Sequence, residues 1–188
     1  MMLKRLFDIA ISLVALCFAA LPLLLLAFAV RATSDGPAIY WSDRVGCRNR
    51  IFRMPKFRTM RVDTPAVATN LLLNPADYVT PLGSFLRRTS LDELPQLWSV
   101  LAGDMSLVGP RPALYNEYEL VALRTDVGVD ALLPGLTGWA QVNGRDELPI
   151  AEKVKLDREY LQRKSFLFDL KIMYLTFVRV VQGHGVSH

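Results

Sequence analysis

Between positions 9 and 30 the chain carries no charged residue, and Ser12, Cys17 and Pro22 are the only breaks in an apolar run. A stretch of 18 or more apolar residues can enter a bilayer as a helix, so the rest of the chain must be arranged around a membrane element. The flanks narrow the choice. Lys4 and Arg5 precede the run; Arg31, Arg44, Arg48, Arg50, Arg53, Lys56, Arg58 and Arg61 follow it, opposed over that interval only by Asp35 and Asp43. Basic flanks stay cytoplasmic, so a straight span leaves one flank on the wrong side. Pro22 removes a backbone N–H and can break a helix. Two halves, each about 14–20 Å long at the α-helical rise, would dip into one leaflet of a ~30 Å hydrocarbon core and return to the same face. This re-entrant anchor satisfies both flanks. The alternatives are a Pro-kinked span and a cleaved signal peptide with Ala27, Phe28 and Ala29 at its processing site.

The 188 residues suffice for one domain with a sizeable core beside the anchor. Lys and Arg number 22 against 18 acidic residues, a net charge of +4 that does not by itself separate nucleic acid, anionic lipid and phosphorylated substrates as partners. The two cysteines, Cys17 and Cys47, make neither a disulfide framework nor a metal-ligand spacing. There is no P-loop, dinucleotide glycine fingerprint, nucleophile elbow or internal repeat. His184 and His188 have no evident role.

After the turn at Asp35, Gly36 and Pro37, residues 38–41 and 50–54 read as short strands of a hairpin around the turn-prone 46–49. Residues 61–81, with three prolines, read as irregular. Helices are expected over 82–88, 95–101, 115–123 and 150–163, a turn at 134–138 and a polar loop over 141–145. A second apolar helix over 165–181 carries Asp169, Lys171 and Arg179, which suit an interfacial helix or one packed on the core better than a span.

The chemistry concentrates at Asp92 and Glu93, adjacent carboxylates that follow Arg87 and Arg88 and precede Pro95 in an apolar stretch. A carboxylate beside arginine stays ionised at neutral pH and can attack phosphorus or hold Mg²⁺. The structural alternative is a capping box, with Ser90 as N-cap and Glu93 reaching back to it. The arginine fork binds phosphate oxygens in pairs. Arg87, Arg111 (between Pro110 and Pro112) and Arg145 (after Gly144) sit beside glycine, proline or the acidic pair, and Lys56 lies in the basic stretch.

Five blocks occur in order: Lys4-Arg5-Leu6-Phe7-Asp8; Lys56-Phe57-Arg58-Thr59-Met60; Ser90-Leu91-Asp92-Glu93-Leu94-Pro95-Gln96-Leu97; Gly103-Asp104-Met105-Ser106-Leu107-Val108-Gly109-Pro110-Arg111-Pro112; and Pro134-Gly135-Leu136-Thr137-Gly138-Trp139-Ala140-Gln141-Val142-Asn143-Gly144-Arg145. Together they resemble the monotopic phosphoglycosyl transferases among the bacterial sugar transferases, over nearly the whole chain. The resemblance implies an α-rich α+β fold: a re-entrant helix-break-helix anchor over 1–34, then a compact helical catalytic domain over 35–188 with a small β-hairpin and interfacial amphipathic helices. It implies a UDP-sugar donor, a polyprenyl (undecaprenyl) phosphate acceptor and UMP release at the cytoplasmic face of the bacterial inner membrane. Asp92 would be the nucleophile, Glu93 with Asp92 would hold Mg²⁺, and Lys56, Arg87, Arg111 and Arg145 would steady phosphates or the nucleotide. The chain departs from minimal relatives in carrying Leu21 before Pro22 where those often have serine, and in stopping soon after Val186.

Two other functions are compatible with parts of the sequence. A membrane-surface scaffold would use its arginines on anionic lipid and its acidic pair as a cap. A tethered nucleic-acid binder would need a recognition motif or stacking platform, and the sequence has neither, so nucleic acid is not an expected partner. Residues 61–81 and 113–133 lie outside the shared blocks and are the places for sugar selectivity. A homodimer is compatible with the sequence but not readable in it.

Overall fold

The computed structural model describes residues 2–65, 67, 74–144 and 148–182. The apolar run lies in α1 (Met2–Thr33), long and apolar enough by length and composition to cross a membrane. The expected interruption at Pro22 is not seen as a break in secondary structure: α1 is helical on both sides of an exposed Pro22. The physical reason is the phase of the inner face. Asp8, Ser12 and Val30 are buried, and Ala15, Leu16, Leu23, Leu26 and Ala27 are partly buried, at the three- and four-residue steps of one helix face. Pro22 lies at the margin of this face and is itself exposed, so the contacts of the face continue on either side of it, while the opposite side of the helix is open. Phe18, Leu21, Leu24, Leu25 and Phe28 form that exposed side.

Both ends of α1 pack on the same body. Phe7 rests against the main core, which is built around Val100, Met105, Leu107, Val108, Phe168 and Ile172, while Val30 completes a second cluster with Phe57 and Leu86. The basic residues at its start, read from sequence as a topological flank, are bound to protein. Lys4 Nζ donates to Asp169 Oδ2 at 2.7 Å and to the Val108 carbonyl at 3.1 Å. Arg5 donates to the carbonyls of Val100 and Leu101 at 2.6 and 2.9 Å. Ser106 Oγ donates to buried Asp8 at 2.7 Å, and Tyr160 donates to Asp169 Oδ1 at 2.7 Å.

The expected hairpin forms and is longer than the sequence suggested: β1 (Ile39–Val45) and β2 (Ile51–Phe57) are antiparallel, with Ile39 opposite Phe57 and Val45 opposite Ile51. Pro55 fits because the sheet has two strands and β2 keeps an open edge. Then come α2 (Pro81–Thr89), a 3₁₀ turn (Leu91–Gln96), α3 (Leu97–Ala102), β3 (Ser106–Val108), α4 (Tyr118–Asp126), β4 (Gly135–Thr137), α5 (Trp139–Asn143), α6 (Ile150–Arg163) and α7 (Phe166–Gln182).

Two expectations are corrected. The turn at 134–138 is β4, paired in parallel with β3, Ser106 opposite Gly135 and Val108 opposite Thr137. The polar loop at 141–145 begins as the end of α5, and its Arg145 lies outside the described residues. Glycines permit this crossing: a Cβ on Gly135 or on Gly138 would collide with the backbone of Gly109. On α7, Phe168, Asp169 and Ile172 face the core, as one of the two expectations for this helix had it, while Leu167, Tyr174, Phe177 and Val180 are exposed.

Candidate active site

Thr80 caps α2, its hydroxyl accepting from Gly83 N–H at 3.0 Å. The helix ends at Ser90, whose backbone is left-handed (φ 56°, ψ 17°) and whose N–H returns to the carbonyl of Arg87. A non-glycine residue pays about 1–2 kcal/mol for that conformation. The reversal lays the turn Leu91–Gln96 against the hairpin. The capping box does not form: Ser90 makes no side-chain cap, and the Glu93 carboxylate faces cations instead.

Lys56 Nζ, from β2, is 3.0 Å from Glu93 Oε1, and Arg111 Nη1, from the loop after β3, is 3.4 Å from the same oxygen. Asp92 is 8% exposed. Its electrostatic neighbours are Lys56, Glu93, Arg87 and Arg111. Arg87 is held by a 3.0 Å hydrogen bond from its Nε to Thr59 Oγ1. Five of the six residues singled out in the sequence therefore converge, although they are scattered over more than fifty positions.

Burial is the largest influence on Asp92 and pushes its carboxyl up to about 6; Glu93 adds to the rise, while Lys56, Arg87 and Arg111 oppose it. The sequence argument weighed the arginines and not the desolvation, which is the larger influence. Asp92 is still mainly ionised at pH 7. It is a more basic anion than an exposed carboxylate, in a setting that excludes most water. Lys56 is lowered by burial, against the attraction of Glu93.

Sequence reasoning missed Arg44. Burial and the nearby Arg111 lower it to about 10, and Glu93 and Glu117 act in the other direction. In a strand, alternate residues share a face, and the hairpin register puts Arg44 on the same face as Lys56. The signal was present in the period of two, but the expected strand ended at residue 41, before Arg44 could be placed.

The fit of Mg²⁺ can be judged from the donors. Among the described residues no group of three or more His, Cys, Asp or Glu side chains could cage a metal. Mg²⁺, however, commonly takes one or two carboxylates and completes its octahedron with water and substrate phosphates. Asp92 and Glu93 match that requirement.

The sequence belongs with known sugar transferases. The chain matches the family model described as bacterial sugar transferase over residues 1–183, and it is a member of that family. It is 41% identical over 183 residues to the UDP-glucose:undecaprenyl-phosphate glucose-1-phosphate transferase of Escherichia coli (strain K12), covering 93% of this chain and 39% of that protein. It is 37% identical over 198 residues to the undecaprenyl-phosphate galactose phosphotransferase of Salmonella typhimurium, covering 97% and 41%. With the sugar transferase EpsL of Bacillus subtilis (strain 168) the identity is 39% over 187 residues, covering 100% and 91%. The chain thus spans less than half the length of several relatives and nearly all of another.

Proposed function

We propose that this protein is a phosphoglycosyl transferase that moves a sugar 1-phosphate from a UDP-sugar to polyprenyl phosphate, undecaprenyl phosphate in bacteria, and releases UMP. The observation that carries the reading is the convergence of a buried, largely ionised Asp92 with Glu93, Lys56, Arg87 and Arg111 at one place. The relatives from Escherichia coli and Salmonella typhimurium are named for activities of this class.

Asp92 Oδ attacks the sugar-linked phosphorus of the donor. The bond from that phosphorus to the bridging oxygen breaks, UMP leaves with the oxygen, and the sugar phosphate becomes an acyl phosphate of Asp92. A phosphate oxygen of the polyprenyl acceptor then displaces Asp92 at the same phosphorus, giving a polyprenyl diphosphate sugar and the free carboxylate. Ping-pong kinetics follow. Lys56 and Arg111 hold Glu93 in place and offer positive charge to the equatorial oxygens during both displacements. When bound by Glu93 and Asp92, Mg²⁺ would supply charge neutralisation for the departing phosphate.

The acceptor is a lipid, and the surface near the site suits it. Phe85 of α2 and Trp98 of α3 flank the Asp92 turn and are exposed, as are the outer faces of α1 and α7. A spanning α1 would separate its ends by a ~30 Å hydrocarbon layer, yet residues at both ends pack on one body. That packing supports attachment to a single face of the membrane, and the basic residues on both sides of the apolar run favour the cytoplasmic one.

The test is a panel of UDP-sugars screened for Mg²⁺-dependent UMP release by the parent and by Asp92→Asn, with mass spectrometry for a phosphosugar adduct on the parent. Release by the parent alone, with an adduct on the peptide bearing Asp92, is the expected result. Equal release by both proteins overturns the nucleophile, and no release across the panel overturns the activity.

A further inference from the structure

Arg111 reaches Glu93 from a segment with no regular secondary structure and two prolines, yet four consecutive carbonyls of that segment are each taken by a different donor. Gly135 N–H donates to the Pro110 carbonyl at 2.8 Å, and Arg124 Nη1 to the Arg111 carbonyl at 2.8 Å. Arg44 Nη1 donates to the Pro112 carbonyl at 3.1 Å, and Val45 N–H to the Ala113 carbonyl at 2.9 Å. Such saturation removes the freedom that an irregular loop otherwise keeps.

Two of the four donors are side chains: Arg44, whose Nε donates to Ser42 Oγ at 2.9 Å, and Arg124, the one held by a carboxylate hydrogen bond. Its Nε and Nη2 both donate to Asp157 Oδ2, at 2.9 and 2.6 Å, and Asp157 is 1% exposed. A buried ion pair is a poor source of net stability, because desolvation offsets the attraction. Here burial outweighs Arg124 at Asp157, whose carboxyl is raised from the ordinary range. The arrangement has a geometric product instead: α6 holds α4's guanidinium, and its remaining edge holds the backbone of Arg111.

We infer that Arg124, braced by Asp157, is a positioning residue that sets Arg111 against Glu93, and so controls the reaction without touching substrate. This rests on the transferase reading above. A lysine at position 124 keeps a positive charge for Asp157 but lacks the planar fork that serves two partners at once.

The test is a double-mutant cycle on UMP release, using the donor that the parent turns over best. Arg124→Lys should lower kcat by about 10–100-fold in the parent and by less than about threefold in an Arg111→Ala background, since a residue acting through another has nothing left to lose there. The loss should fall on kcat, with KM for the donor within about threefold of the parent, because Arg124 touches no substrate. Asp157→Asn provides a second route to the same non-additivity. An active parent in which Arg124→Lys costs the same in both backgrounds, or leaves kcat unchanged, overturns the positioning role alone. A parent that releases no UMP overturns the transferase reading, and this role with it.

Discussion

Two of the clusters of buried charge among the described residues differ in what answers each charge. At the start of α1, Lys4 meets Asp169, Arg5 meets two carbonyls, and Asp8 meets a hydroxyl and, at 3.4 Å, the Leu107 N–H. Every partner is a fixed part of the fold, so this cluster is a fastening. Around Asp92 the described neighbours are one carboxylate, Glu93, and three cations, Lys56, Arg87 and Arg111. Burial there leaves the carboxyl destabilised as an anion, whereas a fastening would be arranged to relieve it. The contrast separates a charge cluster that holds the protein together from one that spends stability on reactivity.

The sharpest way to break this contrast is Asp92→Asn. UMP release should fall at least about 10³-fold, while the thermal midpoint stays level or rises, because the amide carries no charge to desolvate. A clear loss of stability would make Asp92 structural. Next, Lys56→Met should cost about 10–100-fold in turnover and move the acid limb above its starting value, since Lys56 is the largest influence lowering Asp92. In the fastening the pattern should reverse. Asp169→Asn should destabilise by about 1–3 kcal/mol, as expected on weakening the charged acceptor of two hydrogen bonds, from Lys4 and Tyr160, with turnover per folded molecule within about threefold of the parent. A melting curve alongside an active-site titration decides it.

The pH profile gives a smaller effect with a defined sign. Turnover should fall as pH drops through about 6, because protonated Asp92 cannot attack. Since the folded carboxyl lies above its unfolded value, its contribution to stability is full below the unfolded pKa and is lost as pH rises through about 6. Activity and this part of stability should therefore run in opposite directions across the same interval. Ser90→Gly has the smallest expected consequence, a gain of up to about 1 kcal/mol from relief of the left-handed backbone, with turnover unchanged.

How much was legible in the sequence follows the same division. Asp92, Glu93, Lys56, Arg87 and Arg111 could be singled out because each sits in a distinctive local setting, and the structure brings those five together. The hairpin and the long helices α6 and α7 were readable from periodicity and turn residues, whereas the short α5 was read as part of a polar loop. Lys4 and Arg5 were not: a cation bound to a carbonyl and a cation facing lipid headgroups look alike in sequence. The parallel pairing of β3 and β4 is also silent, because three residues are too short to establish a period. The burial of Asp92 depends on elements far apart in the chain, which is why its direction of shift could not be had from its neighbours alone.

The two-ended packing of α1 has a practical consequence. Cutting away residues 2–33 to obtain a water-soluble version would strip Val30 from Phe57 and Leu86 and remove the cover over Val100 and Ser106. The truncated remainder would display fresh greasy surface in two places and clump, whereas detergent-extracted material of full length keeps its wall intact.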